Sequence, residues 1–444
     1  MAVKLFGTDG VRGTANQFPI TAEAALKLGI AAGSFFRRDG RNGHRVVLGK
    51  DTRRSCYMLE NALAAGLSSA GMNVILLGPV PTPAVGFLTR SMRADLGVMI
   101  SASHNPARDN GIKFFGPDGF KLPDEDEATI EDLFENQPEA VEPDQIGRLR
   151  RLEDGRGRYV EFAKTTINGA RFDGLKVVVD CAHGAAYRTA PEALWELGAD
   201  VVPMGVAPDG FNINLDCGST HPEAAAAMVR ATGADLGICL DGDADRIILI
   251  DETGAVADGD QIMALFAEHW GAEGKLKNGT LVATVMSNLG LERFLEGKGL
   301  TLERTKVGDR HVVARMREGG FNLGGEQSGH IVMSDYATTG DGLMAGLQFM
   351  ALMKQTGLRA SELVRRFTPV PQVLRNLRLD TALLQRPEIG ALIKAQEVRL
   401  GKTGRILVRP SGTEPLIRVM VEAEDSGLLE DVLDTVEAGL RPSS

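Results

Sequence analysis

The chain reads Ala94-Asp95-Leu96-Gly97-Val98-Met99-Ile100 and runs on into Ser101-Ala102-Ser103-His104-Asn105-Pro106. Further along it reads Ala234-Asp235-Leu236-Gly237-Ile238-Cys239-Leu240, followed by Asp241-Gly242-Asp243-Ala244-Asp245-Arg246. The same tetrapeptide opens a short apolar run in both places, and each run ends in polar functional groups. A short apolar run bounded by turn residues predicts a buried strand. One loop offers hydroxyls and the other three alternating carboxylates, complementary parts for moving a phosphoryl group.

Working outward, the two stretches belong to a larger repeat. Gly71, Val74, Gly78 and Pro81 recur as Gly198, Val201, Gly205 and Pro208 at a constant offset of 127 residues. This predicts two homologous α/β domains, with a third copy resting on Asn322-Leu323-Gly324 before another polar loop. Strands are expected at Val46–Leu48, Val74–Leu77, Val98–Ile100, Val177–Val179, Leu236–Leu240, Ile247–Ile250 and Leu281–Val285. Helical patterns separate them, which predicts mainly parallel mixed sheets. The Pro-bearing acidic stretch Gln137–Gln145 reads as a linker, and Phe367-Thr368-Pro369-Val370-Pro371 breaks the pattern again. The expected domains are 1–145, 146–254 and 255–368, all α/β, and a C-terminal α+β domain over 369–444.

At 444 residues the chain exceeds what one core usually supports. A hydrophobic fraction of 43% with 24% charged residues is that of a soluble globular protein. A net charge of -10 argues against nucleic acid or an anionic membrane as partner. Met1–Gly10 lacks the apolar core of a signal peptide, and no run of ~18 apolar residues occurs, so a cytoplasmic protein is expected. Cys56, Cys181, Cys217 and Cys239 are far apart and have no metal-like spacing.

Asp241, Asp243 and Asp245 alternate in an extended loop, so their side chains share one side. Two carboxylates ~5 Å apart at an effective dielectric near 20 repel by roughly 3 kcal/mol. Three together call for a cation, and oxygen-only ligands point to Mg²⁺ or a similar hard ion. A calcium loop is excluded because Arg246 stands at the sixth position, where the tight turn needs Gly. Ser103 lies outside any Gly-x-Ser-x-Gly elbow; by local sequence it suits a helix start or Asx turn as well as a phosphoryl carrier. Gly324-Gly325-Glu326-Gln327-Ser328-Gly329-His330 offers a carboxylate and a hydroxyl to adjacent sugar hydroxyls. Arg409-Pro410-Ser411-Gly412-Thr413-Glu414-Pro415 offers a guanidinium, hydroxyls and free amides to a phosphate dianion.

With these four loops in this order, the chain resembles the α-D-phosphohexomutase superfamily over essentially its whole length. Phe6-Gly7-Thr8-Asp9-Gly10-Val11-Arg12-Gly13, the Gly-Glu-Gln-Ser-Gly-His wording and Lys306-Val307-Gly308-Asp309-Arg310 are similar to its bacterial branch acting on glucosamine phosphates. Ala244, where many relatives have Gly, is the one departure. The resemblance implies four domains around a central cleft and interconversion of glucosamine 6-phosphate and glucosamine 1-phosphate through a phosphoserine enzyme. That reaction would supply amino-sugar nucleotide precursors of the cell wall. It further implies phosphorylation of Ser103, rather than Ser101, as a requirement for activity. One Mg²⁺ per subunit would be held by Asp241, Asp243, Asp245 and the Ser103 phosphate. A sugar 1,6-bisphosphate would serve as intermediate and activator, and the assembly would be a homodimer.

Carried over residue by residue, Arg12, His104, Lys113 and Arg246 would surround the transferring group, with Lys113 and His330 as proton carriers. Glu326 and Ser328 would hold sugar hydroxyls. Arg409, Ser411, Gly412, Thr413 and Arg418 would grip the phosphate not being transferred, and Gly308, Asp309 and Arg310 would also meet the substrate. The rival readings are a phosphomannomutase/phosphoglucomutase of the same fold, a metal-dependent sugar phosphatase that leaves Ser103 idle, and a sugar-phosphate sensor with no need of a cation cage.

Overall fold

The computed structural model describes residues 4–7, 9–37, 43–410 and 416–441. Four sheets follow one another along the chain. In the first, strands Asn73–Pro79, Arg45–Lys50 and Leu96–Ile100 lie parallel, and Asp109–Phe115 adds antiparallel beside the last of them. The second sheet repeats this order with Asp200–Met204, Lys176–Asp180, Leu236–Leu240 and antiparallel Ile247–Asp251. The third does so again with Thr301–Thr305, Thr280–Thr284, Leu323–Gly325 and antiparallel Ile331–Met333. Gly404–Pro410, Ile417–Ala423 and Gln372–Leu377 form a separate antiparallel sheet.

The repeated tetrapeptide has a physical reason. Asp95 Oδ2 accepts the backbone N–H of Arg45 at 2.9 Å, and Asp235 Oδ2 accepts that of Lys176 at 2.8 Å. Both bonds fix the start of the neighbouring parallel strand. In the third domain Asn322 takes this place, its Oδ1 accepting Lys277 N at 2.9 Å. The glycine two residues on is required by close packing. A Cβ at Gly97 would collide with Thr89, at Gly237 with Val229, and at Gly324 with Met316. Each of those residues belongs to the helix that precedes the strand: Thr82–Ser91, Glu223–Thr232 or Asp309–Gly319.

Two differences from the sequence reading concern boundaries. Leu149–Arg151, beyond the expected end of the first domain at 145, pairs in parallel with Asn73–Pro79 and completes the first sheet. All three of its residues are exposed, so it lacks the apolar signal of a buried strand. Gln137–Gln145 therefore lies within a crossover of the first sheet and does not link two domains.

One apolar core runs through the first three domains, from Val47 and Met99 through Val177 and Ile238 to Leu343 and Leu363. The fourth has its own core around Ile417, Val421 and Val432, and meets the third through polar groups. Arg405 donates to the carbonyls of Val285 at 2.9 Å and Ser287 at 2.5 Å, and Asn288 exchanges two hydrogen bonds with the backbone of Val370.

Helix Gly155–Thr165 is tied to the third domain by the Tyr159 hydroxyl, 2.9 Å from both carboxylate oxygens of Asp341. Asp341 caps helix Gly342–Thr356 through Met344 N. Burial above all, with Asp245 adding to it, pushes the Asp341 carboxyl up to about 6. A carboxyl raised in the folded state stabilises the fold below its unfolded pKa near 3.9, and that contribution is lost as pH rises through about 6. Asp341→Asn should remove this dependence. From pH 4 to pH 7.5 the stability difference between variant and wild type, measured by urea unfolding, should shift toward the variant by about 2 kcal/mol.

Candidate active site

Three of the four loops are the same piece of topology. Each joins the third parallel strand of its sheet to the antiparallel strand beside it: Ser101–Arg108, Asp241–Arg246 and Glu326–His330. The carboxyl ends of parallel strands are where open α/β sheets gather ligands. The shared core of the first three domains brings these ends together. The Ile247 N–H donates to the Gly329 carbonyl at 3.0 Å, and the Gly342 N–H to the Ala244 carbonyl at 3.0 Å. Thr82, on the first domain, donates from its hydroxyl to Asp243 Oδ2 at 2.6 Å.

Ser103 is buried, has φ +52°, and donates from Oγ to Asp241 Oδ2 at 2.5 Å. Ligand atoms of Asp241, Asp243 and Asp245 lie within 4.8 Å of one another, and all three residues are buried. Asp243 Oδ1 and Asp245 Oδ1 are buried without a hydrogen-bond partner. Orphaned buried carboxylate oxygens are costly unless something satisfies them. All-oxygen donors at this spacing suit a hard divalent cation. Asp241 is the member that carries the strain: burial, then Asp245 and Asp243, holds its carboxyl well above the usual range.

Cations balance the rest. Lys113 is buried, 2.9 Å from Asp243, 3.3 Å from Asp9 and 3.5 Å from Asp245. Burial alone would lower its pKa, but these carboxylates hold it well above the ordinary lysine value. It is therefore held as an ammonium at neutral pH, a positive charge set among three carboxylates. Arg12 pairs with Asp9 and donates to the Ala102 carbonyl at 3.3 Å. Arg246 reaches Asp245 at 4.0 Å. His104 Nδ1 is 3.4 Å from Ser103 Oγ, and burial together with Arg246 and Arg12 lowers its pKa to about 4, leaving a neutral imidazole.

His330 is buried between Asp245, 3.6 Å from Nδ1, and Asp309, 3.6 Å from Nε2. The Gly340 N–H donates to Nε2 at 3.1 Å, so in the neutral ring the proton sits on Nδ1. Burial opposes charging this ring, yet Asp245, Asp309 and Glu326 outweigh it and raise its pKa. The ring thus has a partner for its neutral form and carboxylates for its charged form, the property a proton carrier needs.

Glu326 and Ser328 stand on the third loop, half-buried and exposed, with Glu326 Oε1 accepting the Gly308 N–H at 3.1 Å. Arg310 is drawn away from the cleft: its guanidinium pairs with Asp124 and, at 2.9 Å, with Glu127 on helix Asp124–Glu135 of the first domain. Asp309 pairs with Lys121. The segment expected to meet substrate thus also pins the third domain to the first. Arg409 and Arg418 stand directly opposite each other on adjacent strands, and burial and Arg418 together lower the pKa of Arg409. Like charges opposed across a sheet repel. Arg409 Nη2 lies 3.9 Å from Met286 Sδ, which sets it beside the carboxyl end of Thr280–Thr284. Ser411, Gly412 and Thr413 lie outside the described residues.

Asp9 and Lys121 belong to this set and were missed from sequence. Asp9 sits inside the quoted opening motif, whereas Lys121 carries no local signal, because its partners Asp9 and Asp309 are 112 and 188 residues away. Calorimetric titration with Mg²⁺ should find one site per chain. Asp243→Asn, which removes one charge from the cage, should weaken it by at least about tenfold, or 1.4 kcal/mol.

Models of the phosphoglucomutase/phosphomannomutase alpha/beta/alpha domains I, II and III match residues 3–141, 157–254 and 258–370, and the C-terminal domain model matches 374–438. A phosphoglucosamine mutase of Cereibacter sphaeroides (strain ATCC 17029) is 68% identical over 447 aligned residues, covering 100% of both chains. That of Paracoccus denitrificans (strain Pd 1222) is 66% identical, again over 100% of both. The crystal structure of a phosphoglucomutase/phosphomannomutase family protein from Burkholderia thailandensis superposes with a TM-score of 0.84 at 26% identity, covering 98% of this chain and 97% of that one. With all four domain models in sequence order and identity of this degree along its full length, the chain belongs to the phosphoglucosamine mutases of the phosphoglucomutase/phosphomannomutase family.

Proposed function

We propose that the chain interconverts glucosamine 6-phosphate and glucosamine 1-phosphate, with Ser103 as the phosphoryl carrier and a 1,6-bisphosphate as intermediate. One observation carries this reading: the Ser103 hydroxyl, on the first domain, donates at 2.5 Å to the carboxylate cage of the second. A phosphatase has no use for a serine held there, and a sugar-phosphate sensor has no use for the cage. The choice of glucosamine rests on the full-length relatives.

The donor set fits Mg²⁺. Asp241, Asp243 and Asp245 would hold it together with a phosphate oxygen on Ser103, and when bound it would neutralise charge on the moving phosphoryl group. In the first transfer the Ser103 Oγ–P bond breaks and a bond forms from phosphorus to the free sugar hydroxyl. The hydroxyl proton passes by way of His330 to the departing Oγ, so that Ser103 ends as a hydroxyl. Arg12 and Arg246 face the phosphoryl oxygens, and neutral His104 lies against the leaving Oγ. The bisphosphate then turns end for end, and the other phosphate passes back to Ser103. Glu326 and Ser328 hold sugar hydroxyls, while Arg409 and Arg418, with Ser411, Gly412 and Thr413, grip the distal phosphate in each half.

A coupled assay comparing glucosamine, glucose and mannose 1-phosphates should give the largest kcat/KM for glucosamine and no turnover in excess EDTA. Intact-mass spectrometry should show a singly phosphorylated fraction that vanishes in Ser103→Ala, with turnover falling by at least about a thousandfold. Equal rates on all three sugars would make the chain a general hexose phosphomutase, and release of inorganic phosphate alone would make it a phosphatase. Because both ends of the bisphosphate visit the fourth loop, Arg409→Ala should impair both reaction directions. Loss of a charge-assisted contact of about 2–3 kcal/mol corresponds to roughly a hundredfold in kcat/KM, with Mg²⁺ affinity unchanged.

A further inference from the structure

Ser103 adopts the left-handed conformation, φ +52°, which a residue with a side chain rarely takes. Such a conformation persists only where the surroundings over-determine it. Here they do so through two side chains outside the reacting set. The guanidinium of Arg53, wholly buried and paired with Asp51, donates from Nη2 to the carbonyls of Ser103 at 3.1 Å and Asn105 at 2.5 Å. Asn214, buried in the second domain, donates from Nδ2 to the same two carbonyls at 2.9 and 3.0 Å. On the other side of the serine, its N–H donates to Ser101 Oγ at 2.9 Å, and Ser101 donates to Asp51 at 2.6 Å. The fit leaves no slack: a Cβ at Gly242, in the cation loop, would stand 2.5 Å from the Ser103 carbonyl and 2.8 Å from Asn214 Nδ2.

Arg53 ties the serine loop to its own domain, whereas Asn214 ties it to the domain that carries Asp241, Asp243 and Asp245. We propose that Asn214, acting with Arg53, is a positioning residue that locks the serine loop to the cation loop's domain. Oγ then keeps one place while Ser103 alternates between phosphoryl donor and bare hydroxyl. The inference rests on the mutase reading and deepens it. The donor must be restored to the same point after the bisphosphate turns, or the second transfer meets a displaced acceptor. A misplacement near 1 Å commonly costs about a hundredfold in rate.

Two substitutions separate this role from a merely conformational one. Asn214 is itself left-handed, φ +58°; Asp tolerates that conformation better than Ala, so if backbone shape were all that mattered Asn214→Asp would be the milder change. If the two donated bonds matter, Asn214→Asp is the worse, because it sets a carboxylate against two carbonyls. We expect kcat for glucosamine 1-phosphate to fall about a hundredfold in Asn214→Asp and about tenfold in Asn214→Ala. KM should stay within about twofold and Mg²⁺ titration should be unchanged, and melting should remain cooperative with a lower midpoint, lowest in Asn214→Asp. Hydrogen exchange of the peptide spanning 101–106 should speed up in both variants. Arg53→Lys, which keeps the charge beside Asp51 but loses the fork, should also lower kcat at constant KM. A kcat for Asn214→Asp at or above that of Asn214→Ala, or unchanged exchange in that peptide, overturns the proposal. Inactivity of the wild type in the same assay would overturn the mutase reading instead, and the exchange measurement would still test the lock.

Discussion

The ammonium of Lys113, sealed from solvent among Asp9, Asp243 and Asp245, is the interaction on which the site's assembly depends. Where three domains meet, Asp9, Asp241, Asp243, Asp245, Asp309 and Glu326 bring six carboxylates. Arg12, Lys113, Lys121 and Arg246 supply four cations. The crowding of carboxylates falls on Asp241, whose carboxyl is held well up while it accepts the Ser103 hydroxyl. Removing one partner of a buried ion pair strands the other in a medium that cannot solvate it. The charges that serve the reaction therefore also hold the domains in register.

This balance explains why the cations are not interchangeable in role. Lys113 is surrounded by carboxylates that raise its pKa, and it places a positive charge between the first domain and the cation loop. His104, crowded by Arg12 and Arg246, stays neutral beside the serine. His330, crowded by carboxylates, has its pKa raised instead. Two histidines in one cleft are driven in opposite directions by their neighbours, which is how a site assigns acid and base roles.

What was legible in the sequence is what the structure decides locally. The Ala-Asp-Leu-Gly signature could be read because its aspartate caps a neighbouring strand and its glycine makes room for a helix, needs that recur in every copy. The cation cage could be read because Asp241, Asp243 and Asp245 are close along the chain as well as in space. Contacts assembled across domains left no such trace. Lys121, Asn214 and Thr82 look like ordinary surface or turn residues until folding sets them against Asp309, the serine loop and Asp243. The same holds for Arg310, whose guanidinium is taken up by Asp124 and Glu127 across a domain boundary. Leu149–Arg151 escaped because an exposed three-residue strand has no apolar period to detect.

The division of the core follows from the chemistry the cleft must perform. Three loops have to meet at one point with the tolerance of a reacting centre, and the domains that carry them share one continuous apolar interior. Close-packed interiors transmit strain and resist shear. In the reaction proposed above, the fourth domain would meet the phosphate at whichever end of the sugar is not reacting, and so would serve two orientations of one ligand. Its core is separate, and Arg405, Asn288 and Glu422 join it to the third domain through hydrogen bonds to backbone. Small polar seams are where domains move relative to each other. Arg405 lies on the strand that carries Arg409 and grips the carbonyls of Val285 and Ser287, beside Met286. One seam therefore both joins the phosphate-gripping domain and fixes the loop that faces its guanidinium.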